Sequence, residues 1–158
     1  MKELQKIKSF TIDHTIHDAG FYLATVSNNI FTYDLRFKKP NNGDYVDIAA
    51  MHSIEHLFAT VVRNSDVKDK VVYFGPMGCR TGFYLLLLGI NKDEALELTK
   101  KCMKLCLEIN EVPGCSPEEC GNYKEHNLEE AKKEIEKYLK VLEKVDIVKD
   151  YNSLKENK

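Results

Sequence analysis

The segment DIAAMHSIEHLFATVV, residues 47–62, carries two histidines and a glutamate in a stretch that is otherwise almost wholly apolar. Side chains three and four positions apart lie on one face of an α-helix, so His52, Glu55 and His56 would point the same way. Two imidazoles four residues apart on a helix can reach a single metal ion. The spacing therefore predicts half of a metal site of the H-x-x-E-H type, which occurs in one group of zinc peptidases.

The alternative for these residues is two core histidines bonded to backbone carbonyls, with Glu55 in solvent. Burying polar side chains on an apolar helix costs free energy unless each one has a partner. Glu55 is the sole acid between Ile48 and Val62, and no base other than the histidines occurs there. We therefore favour the metal site.

A metal site that leaves one position open for a substrate takes three protein ligands. The candidates for the third ligand are Cys115, Cys120, His14, His17 and His126. Thiolate ligation would suit Zn²⁺ or Fe²⁺. Spacing alone does not separate Cys120 from Cys115, and for His14 and His17 a solvent-exposed or substrate-contacting role is an equal alternative.

The chain has five cysteines, an odd number, and its charged N-terminus lacks the apolar core of an export signal. A disulfide framework is therefore not expected. Cys79 lies in the glycine-punctuated turn GPMGCRTG, where a partly exposed thiol beside Arg80 could serve as an acid or base. The alternative is an incidental turn cysteine. Cys102 and Cys106 are predicted to be small buried hydrophobes of a helix.

Four strands are predicted. The stretch GFYLATVSNNIFTYDLRFKKP reads as two strands joined by a turn at residues 27–29, and its alternation puts Arg36 on the face opposite the aromatic residues. KVVYF and FYLLLLGI predict two further strands, both central because they are so apolar.

Two further helices are predicted from their N-caps, Asn91 with Glu94 and Asn127 with Glu130. The first would run to about residue 110, with an apolar stripe of Ala95, Leu98, Cys102, Leu105 and Ile109. The second would bury Leu128, Ala131, Ile135, Tyr138, Leu139 and Leu142. A polar tail from about residue 146 is expected to fray. Because strands and helices do not alternate strictly, we predict one α+β domain over residues 1–158, with an antiparallel sheet of at least four strands packed against helices.

Composition excludes several partners. The 23 basic and 25 acidic residues give a net charge of -2, without the basic surplus that binds a phosphate backbone, so nucleic acid is not expected. The longest apolar run, FYLLLLGI, is far shorter than a membrane span. We therefore expect a soluble, cytoplasmic protein that does not bind membranes.

Five stretches carry a family resemblance: SFTIDHT, YDLRF, HSIEHLFAT, GPMGCRTGFYL and ECGNYKEHNLEEAKK. In this order and at these separations, the chain resembles the S-ribosylhomocysteine lyases, the LuxS family of autoinducer-2 synthesis. The resemblance covers nearly the whole chain. Two positions depart from it: Gly75 stands where the family commonly has serine, and Tyr73 where some members have aspartate.

The resemblance implies roles for individual residues. In the family, the two histidines of H-x-x-E-H and the cysteine of the Cys-Gly-Asn stretch hold a divalent metal, which implies His52, His56 and Cys120. The helix glutamate and the cysteine of the Met-Gly-Cys turn act as acid/base groups, which implies Glu55 and Cys79. Positions that contact the sugar of the substrate match Ser9, His14 and Arg36.

The resemblance also implies an activity. The family cleaves S-ribosylhomocysteine by metal-assisted aldose–ketose isomerisations and a β-elimination, giving homocysteine and 4,5-dihydroxy-2,3-pentanedione, the autoinducer-2 precursor of quorum sensing. It implies one divalent metal ion per subunit, with Fe²⁺ expected ahead of Zn²⁺. It further implies a homodimer with both active sites at the interface, so that Ser9, His14 and Arg36 would serve the partner's metal. The rival classes are a zinc peptidase with the inverted motif and a non-catalytic, metal-stabilised binding module.

Overall fold

The computed structural model describes residues 3–155 and has one five-stranded sheet with helices against one face. The strands are β1 (Gly20–Ser27), β2 (Ile30–Arg36), β3 (Val71–Pro76), β4 (Gly82–Leu88) and β5 (Lys149–Asp150). The helices are α1 (Ile48–Val62), α2 (Lys92–Cys106) and α3 (Leu128–Glu143). The predicted α+β class is confirmed. No helix within residues 3–155 combines the length and the apolar character needed to cross a bilayer.

The sheet is mixed, with the strand order β3-β4-β2-β1-β5. Three neighbouring pairs are antiparallel, but β5 runs parallel to β1, so the prediction of a purely antiparallel sheet is wrong in that pair. The prediction that both apolar strands are central holds for β4 only. β3 is an edge strand, and Val72 and Tyr73 are 44% and 51% exposed.

The segment after residue 146 differs from the frayed tail that we expected. Lys149 and Asp150 pair with β1, and a short 3-10 helix, Tyr151–Leu154, follows. Both end residues of that helix are buried. A two-residue strand leaves almost no pattern in a sequence, because its pairing depends on the strand it meets. Residues 156–158, the last part of the expected tail, lie outside the described residues.

The β1–β2 hairpin sets which side chains face the helices. Asn28 and Asn29 both have positive φ angles, 52° and 62°, as a two-residue type I′ turn requires. The resulting register turns Tyr33 and Leu35 into the main core and Arg36 away from it. The predicted position of Arg36 on the opposite face of the strand is confirmed.

The helices begin where their caps predict. Asn91 and Asn127 accept hydrogen bonds from the backbone N–H groups three residues later, and Asp47 caps α1 in the same way. Most of the stripe predicted for α3 is buried. α2 ends at Cys106, before the predicted residue 110, and its buried face is rotated: Leu105 is 40% exposed, whereas Met103 is buried.

The sheet has two unlike faces. The inner face, with Phe21, Tyr33 and Phe83, joins the three helices in the main core. The outer face carries a smaller apolar cluster of Ile12, Tyr22, Ala24, Tyr151 and Leu154, formed with the chain's N- and C-terminal segments. Residues on successive positions of a strand therefore end up in different environments.

Candidate metal centre and active site

Four side chains converge beside the middle of α1. His52 and His56 come from the helix, and Cys120 and His126 come from the connection between α2 and α3. Their candidate ligand atoms all lie within 4.8 Å of one another. The Cys120 Sγ atom is 3.5 Å from His52 Nε2, 3.9 Å from His56 Nε2 and 3.7 Å from His126 Nε2. Two or three nitrogens around one sulfur form a donor set suited to Zn²⁺ or Fe²⁺.

Helix α1 positions its two histidines through its apolar face. Ile54, Leu57 and Phe58 are fully buried in the core and fix the rotation of the helix. His52 and His56 then lie on the flank, half-buried and directed toward the α2–α3 connection. Because the opposite face is anchored in this way, the imidazoles need little rearrangement to meet a ligand from the connection.

Backbone carbonyls fix the tautomer of both helix histidines. His52 Nδ1 donates to the Glu125 carbonyl at 2.8 Å, and His56 Nδ1 donates to the Pro113 carbonyl at 2.9 Å. A carbonyl can only accept, so each ring carries its proton on Nδ1 and directs the lone pair of Nε2 toward Cys120. Bonds to carbonyls were expected for plain core histidines, but the convergence of the Nε2 atoms is the usual arrangement of metal-binding histidines.

A turn in the connection presents Cys120. The Cys120 and Glu119 N–H groups both donate to the Ser116 carbonyl, at 3.0 and 3.1 Å. Gly114, which has a φ of 68° and borders His56, provides the left-handed conformation that this loop needs. Cys115 is not part of the cluster. The structure thus brings Cys120, rather than Cys115, to the histidines.

His126 is the member of the cluster that the family resemblance did not supply. It was one of five open candidates, and spacing alone could not favour it because it lies in a loop. Its ring stacks on that of His52, with centroids 3.8 Å apart. Burial, together with the neighbouring His52 and His56 rings, lowers the pKa of His126 to about 4, so the ring is neutral at pH 7.

Glu55 lies beside the cluster and borders two clefts. One cleft, of about 320 Å³, is mainly apolar and includes Met51 and Met77. The other, of about 500 Å³, runs past His56 to Arg63. Glu55 has no ion-pair partner within residues 3–155.

Cys79 is exposed in the turn between β3 and β4. Its sulfur lies 3.0 Å from Thr81 Oγ1 and 4.0 Å from Arg36 Nη1. Arg80, the cation that we expected beside this thiol, adopts a positive φ of 61° and lies 5.7 Å from the Tyr45 ring centre. The cation next to the sulfur is therefore Arg36, which lies 43 residues before Cys79 in the sequence. Strand pairing brings the two residues together, and no local sequence pattern reveals the contact.

Arg36 is held rigidly on the outer face of the sheet. It is 1% exposed and donates to both carboxylate oxygens of Asp34, at 2.6 and 3.1 Å. Its Nη1 atom donates to Thr81 at 2.9 Å. Tyr151, from the C-terminal 3-10 helix, also donates to Asp34, at 2.7 Å. The guanidinium thus has little freedom, and its Cys79 edge is the part nearest to the exposed turn.

The N-terminal candidates lie apart from the metal cluster. His17 is fully buried, with Nε2 at 3.3 Å from Asp34, and burial, reinforced by the nearby Arg36 charge, lowers the pKa of His17 to about 3. His14 is half-buried, with its ring 5.8 Å from that of His17. Ser9 lies in the short 3-10 helix Lys8–Phe10 and is also half-buried. Neither histidine joins the four-residue cluster.

The two departures from the family pattern are physically linked. The Tyr73 ring covers Gly75 so closely that a Cβ atom at position 75 would overlap its phenol group. A serine at position 75 would therefore require Tyr73 to turn away. Tyr73 also lines the cleft that leads to Arg63, so the departure shapes a surface beside Glu55.

Comparisons with known proteins agree on one family. Residues 7–149 match the family described as LuxS, S-ribosylhomocysteinase. The chain is 47% identical over 149 residues to the S-ribosylhomocysteine lyase of Borreliella burgdorferi strain ZS7, covering 90% of this chain and 95% of that protein. It is 41% identical over 148 residues to the Finegoldia magna protein of the same name, covering 90% and 94%. It is 39% identical over 146 residues to that of Listeria monocytogenes, covering 88% and 92%.

Both the matched range and the identities exceed what a shared fold alone would give. The match includes α1, the Cys79 turn and the Cys120 loop, the elements that carry the cluster. The chain belongs to the LuxS, or S-ribosylhomocysteinase, family.

Proposed function

We propose that this chain is an S-ribosylhomocysteine lyase, a carbon–sulfur lyase that releases homocysteine and 4,5-dihydroxy-2,3-pentanedione. The observation that carries the proposal is the convergence of His52, His56 and Cys120 beside Glu55 in a chain of the LuxS family. A thiolate is a poor leaving group from an unactivated carbon, so the reaction must first create an acidic proton next to the carbon that bears sulfur.

His52, His56 and Cys120 are the proposed metal ligands. When bound there, a divalent ion would supply Lewis-acid stabilisation of the negative charge that develops on the sugar oxygens. We expect Fe²⁺ in the cell, and elemental analysis after anaerobic purification tests this expectation. The carbonyls of Glu125 and Pro113 hold the two imidazoles in the ligating tautomer.

Cys79 and Glu55 are the proposed proton carriers. As a thiolate beside Arg36, Cys79 accepts a proton from one ribose carbon and returns it to the adjacent carbon, which moves the carbonyl from C1 to C2 and then to C3. Glu55 transfers protons between sugar oxygens and takes the C4 proton. The released electron pair forms the C4–C5 double bond, the C5–S bond breaks, and homocysteine leaves as a thiolate that takes up a proton. The enol that remains moves its proton from the C4 oxygen to C5 and becomes the dione.

The cleft past His56 fits the amino-acid end of the substrate. Its volume of about 500 Å³ lies within the range of small-molecule sites. Arg63 and Glu119 line it and carry opposite charges. We assign the homocysteine carboxylate to Arg63 and its ammonium group to Glu119, because each would then form a charge-assisted hydrogen bond.

The proposal includes a homodimer. The cluster lies on the helix side of the sheet, whereas the Arg36 side chain, with Nη1 at 4.0 Å from the Cys79 sulfur, lies on the outer side. We propose that a second chain brings Arg36 and Cys79, with Ser9 and His14, to the metal of the first. Exposed apolar residues support such an interface: Leu4, Ile7, Phe10 and Ile48 are 86%, 58%, 66% and 56% exposed.

Mixing inactive variants tests the shared site. Cys79→Ala and Cys120→Ala chains, unfolded and refolded together, should regain about a quarter of the wild-type activity, because half of the dimers are mixed and each has one intact site. Each variant alone, treated identically, is the control. Recovery no greater than the sum of the two controls would contradict a site made by both chains.

The activity itself is tested with S-ribosylhomocysteine. We expect the metal-loaded protein to release a thiol, trapped with a chromogenic disulfide, and a dicarbonyl product, trapped with an aromatic diamine. S-adenosylhomocysteine, which lacks a free ribose carbonyl, is the matched control and should release no thiol. Absence of both products from fully metal-loaded protein would refute the proposal.

A further inference from the structure

His126 faces the proposed metal ligands but is not one of the three. Its Nε2 atom lies 3.7 Å from the Cys120 sulfur. Two arrangements fit this position. If Nε2 carries the lone pair, His126 is a fourth ligand and closes the site. If Nε2 carries the proton, His126 donates a hydrogen bond to the sulfur, and the fourth position stays free for substrate.

The hydrogen bonds of the Ser53 hydroxyl group distinguish between these two arrangements of His126. Its hydroxyl group is fully buried, and its oxygen accepts the Asn127 N–H at 2.9 Å and lies 3.0 Å from His126 Nδ1. Within residues 3–155, these are the two hydrogen-bond partners of that oxygen. The Asn127 N–H can only donate, so His126 Nδ1 is the acceptor that remains for the hydroxyl proton.

The tautomer of His126 follows from that bond. A buried hydroxyl proton without an acceptor costs about 1–3 kcal/mol. The favoured arrangement therefore has Ser53 donating to Nδ1, which leaves the His126 proton on Nε2, facing Cys120. This is the reverse of His52 and His56, whose Nδ1 atoms donate to carbonyls.

We infer that His126 is a positioning residue, held by Ser53 in its Nε2–H tautomer, which donates a hydrogen bond to the Cys120 thiolate instead of binding the metal. The inference rests on the proposed function, since it takes His52, His56 and Cys120 as the ligands. A donor on the thiolate withdraws electron density from sulfur and leaves the bound ion a stronger Lewis acid. Stacking on His52 keeps the donor in place.

The tautomer is measurable in the wild-type protein. Long-range ¹H–¹⁵N correlation spectra of the zinc-loaded protein separate protonated from unprotonated ring nitrogens. We expect the proton on Nε2 in His126 and on Nδ1 in His52 and His56. A His126 ring with its proton on Nδ1 and a metal-shifted Nε2 would overturn the inference.

A matched pair of variants tests the bond to sulfur. In His126→Gln, the amide nitrogen can replace Nε2–H as the donor, whereas His126→Phe keeps the stacked ring and has no donor. With Co²⁺ bound, the sulfur-to-metal charge-transfer band should stay near its wild-type position in His126→Gln and shift to longer wavelength in His126→Phe. We expect His126→Phe to bind metal about 10- to 100-fold more weakly, at unchanged stoichiometry.

The outcomes separate this inference from the proposed function. If X-ray absorption counts three imidazoles on the metal, or if both variants lose the metal, His126 is a ligand and only the inference fails. If the charge-transfer band is the same in both variants and the wild type, the inference also fails. If the wild-type protein binds no metal at His52, His56 and Cys120, the proposed function fails as well.

Discussion

At the scale of residues, the chemistry depends on pairs that local sequence predicts only in part. The spacing of His52 and His56 predicts their shared face, because helix geometry is local. The neighbour of Cys79 is Arg36 rather than Arg80, because strand pairing brings Arg36 to the turn. Sequence spacing could not predict that contact, nor the bond between Ser53 and His126, which lie 73 residues apart.

The proposed proton carriers should affect turnover without affecting metal content. Glu55→Gln and Cys79→Ala remove acid/base groups but leave the four-residue cluster intact, so we expect turnover to fall about 10²- to 10⁴-fold, with the metal retained. Elemental analysis and initial rates of thiol release measure the two effects. Glu118→Gln, an exposed carboxylate of the same loop as Cys120, is the control. Near-normal turnover in Glu55→Gln or Cys79→Ala would remove that residue from the mechanism.

At the scale of elements, the helix caps and the strands with alternating apolar residues were predictable from the sequence, whereas the pairing of a very short strand was not. Asn91 and Asn127 cap their helices as predicted, since a cap depends on residues three positions apart. The parallel strand β5 was missed because a two-residue strand has no period. The predicted buried face of α2 is wrong by a rotation about the helix axis. The apolar stripe is interrupted by polar residues such as Thr99, which is buried with its hydroxyl group bonded to the Ala95 carbonyl.

The start of β4 is a tight element that fixes the Cys79 turn. Gly82 pairs with Arg36, and a Cβ atom there would lie 2.5 Å from the Leu35 carbonyl oxygen. We expect Gly82→Ala to lower the free energy of unfolding by about 1–3 kcal/mol, since the backbone must shift. Gly78→Ala, in the same turn, meets no atom within 4 Å and is the control. Urea titrations measure both, and equal midpoints would contradict the close approach of β2 and β4.

At the scale of the whole molecule, the two faces of the sheet have different roles. The inner face builds the core that holds α1, and the outer face buries a polar network of Asp34, Arg36 and His17 beneath the terminal segments. The alternation of apolar and polar residues along β2 predicted that the two faces of the sheet would differ. It did not predict that the polar face would be buried, because the segments that cover it are distant in sequence.

The buried His17 predicts a pH dependence of stability. Its pKa is about 3 in the folded protein and 6.5 in the unfolded chain, so below pH 6.5 the unfolded state binds more protons. Stability should therefore fall as pH falls from 6.5 toward 3, by at most about 1.4 kcal/mol per pH unit for this group. Urea unfolding of metal-free protein at about pH 7.5 and about pH 5 measures the loss.

His17→Phe is the matched variant, because it keeps a ring against Tyr22, whose centroid lies 4.8 Å away. Titrating groups that do not contact His17 are common to both proteins and cancel in the comparison. We expect the variant to lose less stability than the wild type over this pH range. An identical loss in both proteins would show that His17 is not buried in its neutral form.

The most direct test of a lyase built on His52, His56 and Cys120 is a metal titration of the metal-free protein under anaerobic conditions. With S-ribosylhomocysteine present, the rate of thiol release should rise linearly with added Fe²⁺ and reach a plateau at one ion per chain. Cys115→Ala should behave like the wild type, whereas Cys120→Ala should gain almost no activity at that ratio. Full thiol release without metal, or an equal response of Cys120→Ala, would contradict the account.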